Sequence, residues 1–171
     1  LRYTINILHK AQVTIMKRII FFIILIPSVL FAEQTIVKSY KDAKNNYFYT
    51  KLYVNNTGES LYCGIQRPIK IGGGRSIEHV MPASWIAQHF GCSNRDCNKI
   101  SYKHAVADLH NLWIVVRNIN SSRSNFIFGE IKGESRFDYC PAFKRTYNLK
   151  FNIVEPRDSI KGDIARSLLY M

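Results

Sequence analysis

Arg75-Ser-Ile-Glu-His-Val-Met-Pro-Ala-Ser-Trp85 sets a carboxylate and an imidazole side by side, with a proline three residues beyond the imidazole. Glu78 offers a hard oxygen ligand for a divalent cation, and His79, titrating near neutrality, can take a proton from water. Together they point to metal-assisted hydrolysis. In a regular strand, however, neighbouring side chains leave on opposite faces. Both reach one site only where the strand ends or bends, and Pro82 disfavours continuing the ladder. Taken alone, the pair reads more readily as a half-buried surface Glu beside a hydrogen-bonded His, so its meaning depends on what the rest of the chain brings to it.

Immediately upstream, Gly72-Gly-Gly74 reads as a mobile connector, since neither a Gly-Lys-Ser/Thr nor a Gly-x-Gly-x-x-Gly pattern follows to cradle phosphate. Ser39 to about Tyr53 predicts a helix with Ser39 and Asp42 as a capping pair and Tyr40, Ala43 and Tyr47 on one face. The aromatic run Tyr47, Phe48, Tyr49 and Tyr53 reads as core rather than as a base-stacking platform. Asn55-Asn-Thr-Gly58 is a turn.

Downstream, Gly91 to Lys103 reads as a polar loop, and the apolar half of Asp108-Leu-His-Asn-Leu-Trp-Ile-Val-Val116 predicts a buried strand. Asn118 to Asn125 predicts a short polar helix. Asn120 and Arg123, three apart, share a face of it, which brings an amide oxygen and a guanidinium to one spot. Phe126 to Ile131 and Phe151 to Val154 read as short strands. A last helix has Pro156 in its first turn and keeps Ile160, Ile164, Leu168 and Met171 at helical spacing. No stop signal follows, and the expectation is that a C-terminal part is missing.

A chain of 171 residues suffices for one domain with its own core. Twenty-four Lys and Arg against 12 Asp and Glu give a net charge of +12, which favours a polyanionic partner or an anionic membrane surface without choosing between them. Met16-Lys-Arg, the apolar run Ile19 to Ile26 and the small residues up to Ala32 match a secretory signal peptide, with an uncleaved anchor as the competing reading. Residues 1–15 read as an upstream extension from a misplaced start. Without residues 1–32 the remaining 20 bases and 12 acids leave +8. In an oxidising compartment four cysteines default to two disulfides. Cys92 and Cys97 can close a small loop, leaving Cys63 to pair with Cys140. The alternative is a zinc site from Cys92, Cys97, His104 and His110, although its Cys-to-His gap of six residues falls short of the usual spacing of about twelve.

Three blocks, Ile-Glu-His-Val-Met-Pro-Ala-Ser-Trp (77–85), Asp-Leu-His-Asn-Leu (108–112) and Asn-Ser-Ser-Arg-Ser-Asn-Phe (120–126), together resemble the bacterial endonuclease I family of periplasmic and secreted nucleases, within the His-Me finger (ββα-metal) superfamily. Tyr-Cys-Gly (62–64) and Lys-Gly-Asp-Ile-Ala-Arg-Ser-Leu-Leu-Tyr-Met (161–171) extend the likeness. The resemblance implies an α+β fold with a ββα-metal core flanked by helices. It implies Glu78 and Asn120 as ligands of Mg²⁺, or of Ca²⁺ or Mn²⁺, His79 as general base and Arg95 as catalytic arginine. It further implies non-specific cleavage of DNA, often of RNA as well, to 5′-phosphate ends, in the periplasm or outside the cell. Arg75, Arg117 and Arg123 are the candidate nucleic-acid contacts on a chain expected to be monomeric, with no stable membrane insertion once the signal peptide is cleaved. Where family members often carry an acid two positions before the Asp-Leu-His block, this chain has Val106. The alternative function is an exported basic DNA-binding protein without catalysis, and a third treats the basic surface as an envelope contact.

Overall fold

In the computed structural model, residues 34–66, 71–133, 137–146 and 152–171 are described. The expected signal peptide and upstream extension, and Phe151 of an expected strand, lie outside them. The fold is α+β. Its centre is a hairpin in which β1 (Arg75–His79) runs antiparallel to β2 (Leu112–Val116), with Arg75 opposite Val116 and His79 opposite Leu112. Strand β2 leads directly into a seven-residue helix, Arg117–Arg123, which packs back on both strands. The three elements form a ββα unit.

Both hairpin faces are covered, so β2 can be apolar throughout. On one face Val80 and Val115 join Tyr62, Ile119, Phe143 and Val154; on the other Ile77, Leu112 and Ile114 meet Ala43 and Phe48. The second group comes from an N-terminal helix, α1 (Tyr40–Asp42), continuing as a wider π-helical segment, Ala43–Leu52. The Ser39 hydroxyl accepts from Asp42 N–H at 3.2 Å, as the capping pattern requires. The widening is a departure from the sequence reading: the spacing of five between Phe48 and Tyr53, seen in the Tyr53 N–H to Phe48 carbonyl bond, turns Phe48 rather than Tyr47 fully inward.

Helix α2 (Ala83–His89) follows Pro82 as its N-cap, and α3 (Ile100–Ala105) starts inside the stretch expected to be polar loop and runs two residues past it. Ile86, Ala87, Tyr102 and Val106 close a third apolar cluster there. With these in place the helix of the ββα unit is α4. A small second sheet places β3 (Ile127–Phe128) parallel to β5 (Ile153–Glu155), which pairs antiparallel with β4 (Lys144–Arg145). The last helix, α5 (Lys161–Tyr170), buries Ile164 and is preceded by a 3₁₀ turn that buries Ile160.

Two sequence expectations are corrected here. Gly72 and Gly73 form a tightly packed corner instead of a mobile connector: both have positive φ, and a Cβ would stand 2.5 Å from Val116 Cγ1 at Gly72 and 2.7 Å from Asn118 Oδ1 at Gly73. The zinc alternative is overturned because Cys92 is bonded to Cys97, while Cys63 is bonded to Cys140. No cluster of three or more His, Cys, Asp or Glu suited to a metal occurs among the described residues, and no described helix is long and apolar enough to cross a membrane.

The two disulfides close loops of very different length, with sequence separations of 77 and 5. On loop-closure scaling, replacing Cys63 and Cys140 together by Ser lowers the unfolding free energy by about 4 kcal/mol, and the same change at Cys92 and Cys97 by about 2 kcal/mol. Urea unfolding of the two double variants checks the difference.

Candidate active site

Strand β1 ends at His79, and the end of the strand resolves the geometry of the adjacent pair. Ser76 and Glu78 face α4, whereas Ile77 and His79 face the N-terminal helix, as the alternation of a strand demands. A cleft of about 840 Å³ takes in the strand end from both sides, lined by Ser39 and Tyr40 on one side and Asn120 and Arg123 on the other, with Glu78 and His79 between them. The backbone beyond His79 is fastened by fully buried Asn111, whose Oδ1 accepts from Met81 N–H at 2.6 Å and whose Nδ2 donates to the Met81 carbonyl at 3.0 Å. That role was not legible in the sequence: the Asp-Leu-His-Asn block shows an amide, and only the turn shows what it holds.

Glu78 is 2% exposed. The Tyr62 hydroxyl donates to its Oε1 at 2.6 Å, and Arg123 Nε lies 3.3 Å from the same oxygen. Burial pushes the Glu78 carboxyl up to about 7, against the opposing pull of the Arg123 guanidinium and the Tyr62 hydrogen bond. The carboxylate is thus held in place while its charge remains poorly solvated. Burial and the neighbouring Glu78 charge also raise the Tyr62 phenol well above its usual value.

His79 Nε2 lies 2.9 Å from the Val106 carbonyl. A carbonyl only accepts, so Nε2 carries the proton and Nδ1 keeps the lone pair. Burial lowers the imidazole's proton affinity below the ordinary histidine value, and the Arg95 and Arg123 cations push the same way against the Val106 hydrogen bond. The neutral, proton-accepting form is favoured. Tyr40 braces the ring from the helix side, with centroids 5.0 Å apart.

Asn120 and Arg123 share a face of α4, as their spacing predicts. Asn120 Nδ2 donates to Ser76 Oγ at 3.1 Å and to the Ile77 carbonyl at 3.0 Å. No described residue donates to its Oδ1, which leaves that oxygen as the amide's open acceptor. Arg95 is exposed on the Cys92–Cys97 loop at the cleft rim.

The three arginines expected to grip nucleic acid do not gather here. Arg75 lies over the Tyr49 ring at the start of β1, and exposed Arg117 donates to the Arg75 carbonyl, both outside the cleft lining. Arg123 is 1% exposed, with Nη2 donating to the Val80 carbonyl at 2.6 Å and Nη1 to the Ser124 carbonyl at 3.1 Å. Its setting differs from the surface contact expected from the sequence: the guanidinium serves as the counter-charge of a buried carboxylate.

Comparison with known proteins follows the same lines. The model of the Endonuclease I family matches residues 30–171, and the chain belongs to that family. It is similar to Endonuclease-1 of Buchnera aphidicola subsp. Acyrthosiphon pisum, 34% identical over 100 residues covering 55% of this chain and 39% of the relative. The extracellular deoxyribonuclease of Aeromonas hydrophila is 29% identical over 101 residues, 55% of this chain and 43% of the relative. The periplasmic deoxyribonuclease of the same organism is 28% identical over 101 residues, 55% of this chain and 41% of the relative. The matches thus span about two fifths of these relatives' length.

The buried charges make a sharp stability prediction. Arg123→Ala leaves Glu78 without its counter-charge and lowers stability by about 3–5 kcal/mol, and Tyr62→Phe lowers it by about 1–3 kcal/mol. Arg75→Ala, which removes only a cation over a ring, changes it by less than about 1 kcal/mol. Chemical denaturation of the three variants ranks them.

Proposed function

We propose that this chain is a metal-dependent endonuclease of the ββα-metal type, exported to the periplasm or the medium, that hydrolyses phosphodiester bonds of DNA, and of RNA as a second substrate, to 5′-phosphate ends. The observation that carries the reading is the tautomer of His79: with Nε2–H committed to the Val106 carbonyl, Nδ1 is a free base on a residue that lines the same cleft as Glu78, Asn120 and Arg95. Family membership and the printed names of the relatives, endonuclease and deoxyribonuclease, support the same substrate class.

The donor chemistry of the cleft fits a hard divalent cation. One carboxylate and one amide oxygen suit Mg²⁺, which keeps several of its waters in such sites, with Ca²⁺ or Mn²⁺ as substitutes. Glu78 and Asn120 would hold the ion, and a cation there would favour the ionised carboxylate that burial disfavours. When bound, it supplies Lewis-acid stabilisation of charge on the phosphate and the departing 3′ oxygen.

The chain's own residues do the rest. His79 Nδ1 takes a proton from the attacking water. Arg95 offers a guanidinium to phosphate oxygens from the rim. Tyr62 and Arg123 hold the Glu78 carboxylate in one orientation throughout. A grip on phosphates carries no base information, which accounts for cleavage without sequence preference by a monomer of this charge.

Plasmid digestion with Mg²⁺ tests the reading. The intact chain cuts, EDTA abolishes cutting, and His79→Ala lowers kcat by about 10²–10⁴-fold. Equal activity of the two proteins removes His79 as the base. If both bind DNA yet stay inert with every divalent cation, an exported DNA-binding protein without catalysis replaces the enzyme.

A further inference from the structure

We infer that Lys41 and Lys103, which face one cleft from two different helices, are the principal phosphate contacts of the substrate strand on either side of His79. The inference rests on the nuclease reading above and moves the nucleic-acid grip away from Arg75, Arg117 and Arg123.

Lys41 comes from α1 and Lys103 from α3, and both line the cleft that holds Glu78, His79 and Asn120. Among the described residues neither ammonium has a hydrogen-bond or ion-pair partner. Elsewhere, cations beside acids are already neutralised: Lys144 and Lys161 both pair with Glu155, Arg157 with Glu59 and Arg166 with Asp163. At the cleft the pattern is reversed. Its acid Glu78 is held by Arg123 and Tyr62, so among the described lining residues Asp96 is the other acid set against Lys41, Lys103 and Arg95. The excess positive charge therefore faces the general base, and it sits on side chains free to take a phosphate without first breaking a bond. Ammonium groups on flexible stems suit this task, since they follow a backbone without fixing its register to particular bases.

The test measures binding apart from cleavage. A fluorescein-labelled DNA duplex of arbitrary sequence is titrated in EDTA with the full chain carrying His79→Ala, and again with Lys41→Ala, Lys103→Ala or both added. Lys132→Ala, an exposed site outside the cleft lining, serves as a charge-matched control, and Arg117→Ala tests the earlier assignment. We expect the dependence of log Kd on log salt to become shallower by about 0.9 for each cleft lysine removed, and to stay unchanged for Lys132→Ala. An unchanged slope in the double variant overturns the inference, as does a slope lowered by Arg117→Ala and not by the lysine changes. Failure of the parent to bind any DNA, by contrast, defeats the nuclease reading itself. Because neither lysine has a partner to lose, unchanged urea unfolding confirms that the variants report binding rather than folding.

Discussion

A buried carboxylate cannot stand alone in an apolar core, and the contact between Glu78, Arg123 and Tyr62 is what lets one exist here. Each partner is recruited from a different part of the chain. Tyr62 precedes a disulfide-bonded cysteine, Glu78 is the penultimate residue of β1, and Arg123 is the last residue of α4. Satisfying one charge therefore fixes three segments against one another. The Arg123 guanidinium also reaches on to the Val80 and Ser124 carbonyls, which gives its Nη donors acceptors where the side chain is buried. This polar knot ties the ββα unit to the segment that carries Tyr62, beside the valines and isoleucines of the apolar core.

Around that knot the chemistry divides by strand face. On the α4 face sit the proposed metal ligands, Glu78 and Asn120, the first held at Oε1 and the second through Nδ2. On the N-terminal face sits the His79 imidazole, the proposed base, anchored through Nε2 and braced by Tyr40. The pleat puts the imidazole and the carboxylate on opposite faces, while the Arg123 cation still acts on both, pulling the carboxyl down and opposing a proton on the ring. The strand end allows both faces to open into one cleft, and Asn111 keeps that end from fraying.

Much of this was legible in the sequence because it depends on local spacing. The end of β1 before Pro82, the buried β2, and the shared face of Asn120 and Arg123 all follow from periods of two or about three and a half residues. What escaped depends on long-range packing. Arg123 reads as a surface arginine because nothing local reveals that Tyr62, 61 positions earlier, and Glu78 will enclose it. The Gly72-Gly73-Gly74 run reads as flexible because letters do not display the side chains of Val116 and Asn118 pressed against it. Helix α3 was missed because its apolar partners lie on α2, and the π-helical widening because it answers to the fit of Phe48 in a cluster assembled from distant strands.

Val106 stands where the family resemblance leads to the expectation of an acid, and the contact it makes with His79 is through its peptide oxygen. The group that orients the His79 imidazole is therefore a backbone carbonyl and not a side chain. The side chain at that position is itself buried beside Ile86, Ala87 and Tyr102, so packing restricts its composition, and a single added or lost residue between α3 and β2 would slide a different carbonyl into the place facing the imidazole. The constraint on this part of the chain is thus one of length as well as of packing.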